Sequence, residues 1–216
     1  MEAVGQSTFN RRYDPFQMLM AEVGWSVELA DSGNFVVFGN GDWTWQEDSL
    51  NYYTSSILKN LRIDDLGNVL NEYQFWDSAT ANYPGISNSS QQLANGKFIL
   101  GGSNFQQDLT QAPIIYLFDT QGALDTLYIF FCSGEGCIGR QARHTVDNGY
   151  VIVGDEFDSI TNVEGFVLKC DSAGNQLWKV TYGGGGMICL VRLMALERAF
   201  TREERIEQIR TMNNYG

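Results

Sequence analysis

An internal repeat constrains this chain more than any other feature. Three segments carry one pattern. The first runs Gly24-Trp25-Ser26-Val27-Glu28-Leu29 and then Asp31-Ser32-Gly33-Asn34-Phe35-Val36-Val37-Phe38-Gly39. The second has Gln91-Gln92-Leu93 followed by Asn95-Gly96-Lys97-Phe98-Ile99-Leu100-Gly101, and the third Arg143-His144-Thr145-Val146 followed by Asp147-Asn148-Gly149-Tyr150-Val151-Ile152-Val153-Gly154. Each reads as a strand, a tight glycine turn and a short apolar strand stopped by glycine. A glycine-bounded apolar run suits a strand buried on both faces. Asn or Asp beside glycine supplies the positive φ that a hairpin turn demands.

The second half of each copy repeats as well. Strand-like runs at 57–63, 114–118 and 166–170 lead into Asp64-Asp65-Leu66-Gly67, Asp119-Thr120-Gln121-Gly122 and Asp171-Ser172-Ala173-Gly174. In Asp-x-x-Gly the carboxylate accepts turn amides and glycine takes the left-handed position. The first-turn glycines (33, 96, 149) advance by 63 and 53 residues, and the second-turn glycines (67, 122, 174) by 55 and 52. Two markers moving nearly in step predict four antiparallel strands per copy and an all-β chain. The expected units are 15–77, 78–132 and 133–186. Phe9 to Asp14 matches the closing strand of a further unit, so residues 1–14 are expected to finish a preceding copy.

The pattern D-x-x-G-N-x-L-W-x-x-x-Y-G, following x-D-x-G-Y-V-I-V-G, resembles β-propeller repeats of bacterial surface proteins, the multi-blade proteins of Bacteroidetes in particular. Asp147 to Gly183 carries the likeness best, and it covers about residues 8–186. It implies about three four-stranded blades of an incomplete ring, an exported or cell-surface location, and a scaffold without assigned chemistry. The remaining blades would come from a longer chain or from a homo-oligomer. Asp171-x-x-Gly174-x-x-x-Trp178 is also similar to quinoprotein propeller repeats. Those enzymes use adjacent cysteines, which this chain lacks, so only the scaffold is carried over. The expected function is a noncatalytic binding module, with a fragment of a propeller hydrolase or quinoprotein-like enzyme as the alternative.

Charge narrows the partners. Residues 1–186 hold 9 Lys and Arg against 22 Asp and Glu, within a net charge of −12 for the chain. So acidic a body repels phosphate backbones and anionic membranes. No apolar run is long enough to span a bilayer, and no secretion signal is visible at the amino end. From Met187 glycine vanishes until Gly216. Leu193, Leu196 and Phe200 share one helical face, so 187–216 reads as a helical tail, either native or produced by a shifted reading frame.

Candidate sites are few. Trp43, Trp45, Glu47, Asp48, Tyr52 and Tyr53 fall between the second and third strands of the first copy, an expected loop. Flat aromatic faces beside carboxylates suit a glycan or a peptide. In propeller geometry this loop would neighbour 102–112 and 155–164. Asp155, Glu156 and Asp158 form an oxygen-rich cluster able to take calcium, the one cofactor entertained, but without the alternation of an EF-hand loop. His144, the only histidine, reads as a polar strand position matching Glu28 and Gln91. No nucleophile elbow accompanies it. Cys132 and Cys137 flank a turn-like Ser-Gly-Glu-Gly that can close as a small disulfide, free thiols being the default. The spacing does not suit zinc.

Overall fold

The structure, a computed structural model, describes residues 22–46, 52–77, 80–86, 88–106, 110–132, 136–159 and 162–182. These residues form three antiparallel sheets. The first sheet holds β1 (Glu22–Leu29), β2 (Phe35–Gln46), β3 (Tyr52–Ile63) and β4 (Val69–Phe75), in that order. The second holds β5 (Thr80–Pro84), β6 (Ser90–Gln92), β7 (Phe98–Gln106), β8 (Gln111–Phe118) and β9 (Leu124–Ile129), with β5 and β6 both paired to β7. The third is β10 (Gly136–His144), β11 (Tyr150–Ser159), β12 (Asn162–Cys170) and β13 (Gln176–Tyr182). Apart from a 3-10 turn at Asp31–Gly33, no helix lies among the described residues. None of them forms a helix long and apolar enough to cross a membrane. The expected closing strand at 9–14 and the helical tail at 187–216 lie outside the described residues.

The second turns behave as their chemistry requires. Asp64 Oδ1 accepts from Leu66 N at 2.9 Å and Asn68 N at 2.7 Å. Asp119 Oδ1 does the same for Gln121 N and Ala123 N, and Asp171 Oδ1 for Ala173 N and Asn175 N. Gly67, Gly122 and Gly174 take φ of 78°, 91° and 83°. Asn68 and Asn175 add a side-chain bond back to the aspartate; Ala123 cannot.

The first turns correct the alignment. Positive φ falls on Gly33, Gly96 and Asn148, not on Gly149. Asn is among the few residues that tolerate this conformation. With Asn148 as the marker, turn-to-turn distances within a copy are 34 residues (33 to 67), 26 (96 to 122) and 26 (148 to 174). The first copy therefore carries eight extra residues between its turns. From the second turn to the next first turn the distances are 29 (67 to 96) and 26 (122 to 148), placing three extra residues before the second copy's first turn. Eight and three account for the excess of the 63-residue interval over the regular 52. The first insertion lengthens the β2–β3 hairpin. The second interrupts the opening strand of the middle sheet, where β5 and β6 replace one continuous strand.

The middle sheet is buried on both faces, which its continuous apolar runs require. Phe98 and Leu100 of β7, with Ile114, Tyr116 and Phe118 of β8, meet Val36, Phe38 and Leu58 of the first sheet. Ile99 and Ile115 turn the other way, to Ala142, Tyr150, Ile152, Phe166 and Leu168 of the third. Strand alternation sorts neighbouring residues into two separate cores. The second turns of the second and third copies also cap the preceding sheet. Asn60 Nδ2 donates to Gly122 O at 2.9 Å, and Tyr128 OH to Ser172 O at 3.1 Å.

The glycine after each apolar run does not end its strand. β2, β7 and β11 continue for several residues beyond it. Gly24 pairs Gly39 and Gly139 pairs Gly154, and a bulge follows each pair at Trp25 and Arg140. A Cβ on Gly39, Gly102 or Gly154 would lie 2.3, 2.2 or 1.8 Å from the carbonyl oxygen of Val23, Tyr83 or Ile138. A Cβ on Gly101 would lie 2.4 Å from Ala142 N of the next sheet. These glycines mark backbone touching backbone, within a sheet at the bulge and between sheets two and three.

Candidate functional site

The β2–β3 hairpin is where the expected aromatic site falls. Trp43, Trp45, Tyr52 and Tyr53 do not sit in a loop, because the ladder continues through Trp43↔Ser55, Trp45↔Tyr53 and Gln46↔Tyr52. β-branched and aromatic residues favour strands, and nothing breaks the pairing between Gly41 and Gln46. Glu47 and Asp48 lie outside the described residues. The companion loops shrink likewise: β7 and β8 pair as far as Phe105↔Gln111, and β11 and β12 as far as Ser159↔Asn162.

At the base of that hairpin lies a polar layer. Trp25 Nε1 donates to Asn40 Oδ1 at 2.5 Å, and Asn40 Nδ2 donates to Ser56 Oγ at 3.0 Å. Burial, then the Asp42 carboxylate, push the Tyr83 phenol up, against a hydrogen bond with Ser56. On the neighbouring sheet Asn82 Oδ1 accepts from Asn104 Nδ2 at 3.0 Å and from Tyr116 OH at 3.1 Å. Asn40, Ser56, Asn82 and Asn104 are all buried. Hydrogen bonds thus partner these buried side chains at the base of the hairpin.

The acidic cluster divides. Asp155 and Glu156 are successive strand residues, which point to opposite faces. Asp155 pairs with Arg140 Nη2 at 2.7 Å, and Glu156 with Lys179 Nζ at 2.6 Å. Each carboxylate already has its own cation. The Asp158 side chain lies outside the described residues. Thus the structure does not bring Asp155 and Glu156 to one point.

His144 pairs Tyr150 across β10 and β11, as Leu29 pairs Phe35 and Gln92 pairs Phe98. The matching positions are Leu29 and Gln92, one residue from those expected, the same one-residue shift as the first turn. Its ring packs edge-on to Tyr150 at 5.7 Å, and its backbone N–H donates to Gln91 Oε1.

Sequence reading missed one constellation. Cys132 and Cys137 form a disulfide, not free thiols, and Lys179 Nζ lies 3.3 and 3.7 Å from the two sulfurs while holding Glu156. Cys170 is free and buried, and burial pushes its thiol up to about 11. Cys189 lies outside the described residues. Lys179 is 42 residues from Cys137, so no local motif announces their meeting. No protein-family model and no curated protein matches the chain.

Proposed function

We propose that this chain is a noncatalytic binding module built from β-propeller blades, exported or held at a cell surface, and that it presents the β2–β3 hairpin to a glycan or an aromatic-binding peptide. The carrying observation is the eight-residue lengthening of that one hairpin. It puts Trp45, Tyr52 and Tyr53 on paired strands beyond the reach of the two companion hairpins, with Trp43 two residues before Trp45 on the same strand. Tryptophan and tyrosine are the side chains that recognition surfaces favour.

The blade reading draws on how the sheets stack. The opening strands β1, β6 and β10 lie side by side, with Ser26 Oγ and Ser90 Oγ 2.5 Å apart and Arg143 Nη1 donating to Ser90 O at 2.9 Å. Opening strands set side by side suit sheets stacked about an axis. On β1 of the first sheet, Val27 and Leu29 are each 58% exposed. That apolar edge suits a further blade, from a longer chain or a second copy. A disulfide between Cys132 and Cys137 suits an oxidising compartment.

The test is a glycan and peptide array probed with the purified chain, followed by titration of any hit. Binding is expected to fall at least tenfold in Trp45→Ala with folding intact. An array with no signal, or hits that Trp43→Ala and Trp45→Ala both bind as tightly as the wild type, overturns the proposal.

A further inference from the structure

The connection from β9 into β10 gathers a disulfide, an ammonium and a carboxylate. Lys179 Nζ lies 3.3 Å from Cys132 Sγ, 3.7 Å from Cys137 Sγ and 2.6 Å from Glu156 Oε1. It also sits 5.3 Å from the centre of the Phe166 ring. The Lys179 and Glu156 side chains are only 15% and 12% exposed. A structural disulfide is neutral and needs no cation. A thiolate does, and a neighbouring lysine is a standard means of lowering a thiol's pKa.

We propose that Cys132–Cys137 is a reversible thiol–disulfide exchange site for dithiol partners, with Lys179 as the positioning residue that stabilises the thiolates. The sulfurs are not equivalent. Cys137 is fully buried, whereas Cys132 is part-buried and follows Phe131, which is 74% exposed. A thiolate of the partner attacks Cys132 Sγ, the Cys132–Cys137 bond breaks, and Cys137 leaves as a thiolate beside Lys179. The partner's second thiolate then attacks its own sulfur in the mixed disulfide. That closes the partner's disulfide and releases Cys132 as a thiolate. Two electrons pass from the dithiol to the chain, and the two new thiolates take up the partner's two protons. A lower leaving-group pKa speeds the first step. The site uses no residue of the β2–β3 hairpin and does not depend on the binding proposal.

The sulfurs and the Glu156 carboxylate, all within 4.8 Å of one another, also have the makeup of a metal site. Lys179 opposes this reading, because its ammonium already occupies the place among the three groups where a metal cation would sit.

The test is the pH dependence of iodoacetamide alkylation of the reduced full chain, resolved by peptide mass spectrometry. Cys132 is expected to react with a midpoint about one unit below the ordinary cysteine value of ~8.5. Lys179→Met is expected to raise that midpoint by about one unit, and Lys179→Arg to restore it. A wild-type midpoint at or above 8.5 overturns the proposal even if Lys179→Met fails to fold. Equilibration with mixtures of reduced and oxidised glutathione is expected to convert the pair between its two forms. A pair that stays oxidised at every ratio overturns it. So does stoichiometric zinc uptake by the reduced wild type, which assigns the cluster to a metal instead.

Discussion

Replacing Gly154 by alanine is expected to destabilise the chain by about 3 kcal/mol or more, while alanine at Gly24 leaves stability nearly unchanged. A Cβ on Gly154 would lie 1.8 Å from Ile138 O and 2.8 Å from Phe166 Cε1. Ordinary contact needs roughly 3.2 Å, so β10 and β11 must part by more than about 1 Å at the Gly139↔Gly154 pair. Overpacking of this kind costs about 1–3 kcal/mol. Each ladder hydrogen bond lost beside the bulge adds about 1 kcal/mol. The φ of Gly154 is not in the left-handed region, so the cost is steric and not conformational. At Gly24 a Cβ meets, among the described residues, only Val37 Cγ1, at 3.5 Å, an ordinary contact. Its smaller unfolded-state entropy even favours alanine slightly. For a chain of this size 3 kcal/mol is roughly 6–12 °C in Tm. The assay is urea unfolding followed by tryptophan fluorescence and circular dichroism. A Gly154→Ala chain within 1 kcal/mol of wild type, or an equal loss from Gly24→Ala, would refute the close-approach reading.

Two titrating groups carry further expectations. Asp147 accepts from Lys169 Nζ at 2.7 Å and from Thr145 Oγ1, and these bonds, the lysine's first, hold its carboxyl well below the usual range. Because the folded value lies below the unfolded value of ~3.9, the stabilisation is present above about pH 4 and lost as pH falls toward the folded value. Asp147 is 60% exposed, so solvent screening limits the effect to under about 1 kcal/mol. The stability gap between wild type and Asp147→Asn should therefore narrow from pH 5 to pH 2; a constant gap refutes the assignment. Cys170, with its thiol pushed up to about 11 by burial, should resist iodoacetamide at pH 8 in the native chain and react in urea. Native-state labelling at the rate of a free model thiol would count against a closed core there.

The fold was legible because its grammar is local. Asp-x-x-Gly turns need only four residues, and all three formed as their chemistry demands. The apolar runs announced a sheet covered on both faces, and Ile99 and Ile115 point to one core while their neighbours fill the other. Misreadings arose where one residue type serves two physical ends. Glycine after an apolar run reads as a strand end, but Gly39 and Gly154 admit a carbonyl from the adjacent strand and Gly101 meets the backbone of the next sheet. The ladder then runs on, which is why the aromatic loop became a hairpin. Asn148 beside Gly149 supplies the positive φ of its turn, so aligning the copies on Gly149 is one residue off, and the same offset reaches His144.

The candidate chemistry was less legible, because it depends on which residues the topology brings together. Asp155 and Glu156 look like one cluster in sequence, but strand alternation sends them to Arg140 and Lys179 on opposite faces. Conversely, Cys132 and Lys179 lie 47 residues apart and meet at 3.3 Å, because β13 closes the sheet that β10 opens. Adjacency in sequence overstates proximity along a strand, and separation understates it across a sheet. In a chain of repeated hairpins, the groups worth testing are therefore those on one sheet face, whatever their spacing. By that criterion Cys132, Cys137, Glu156 and Lys179 rank above the acidic run.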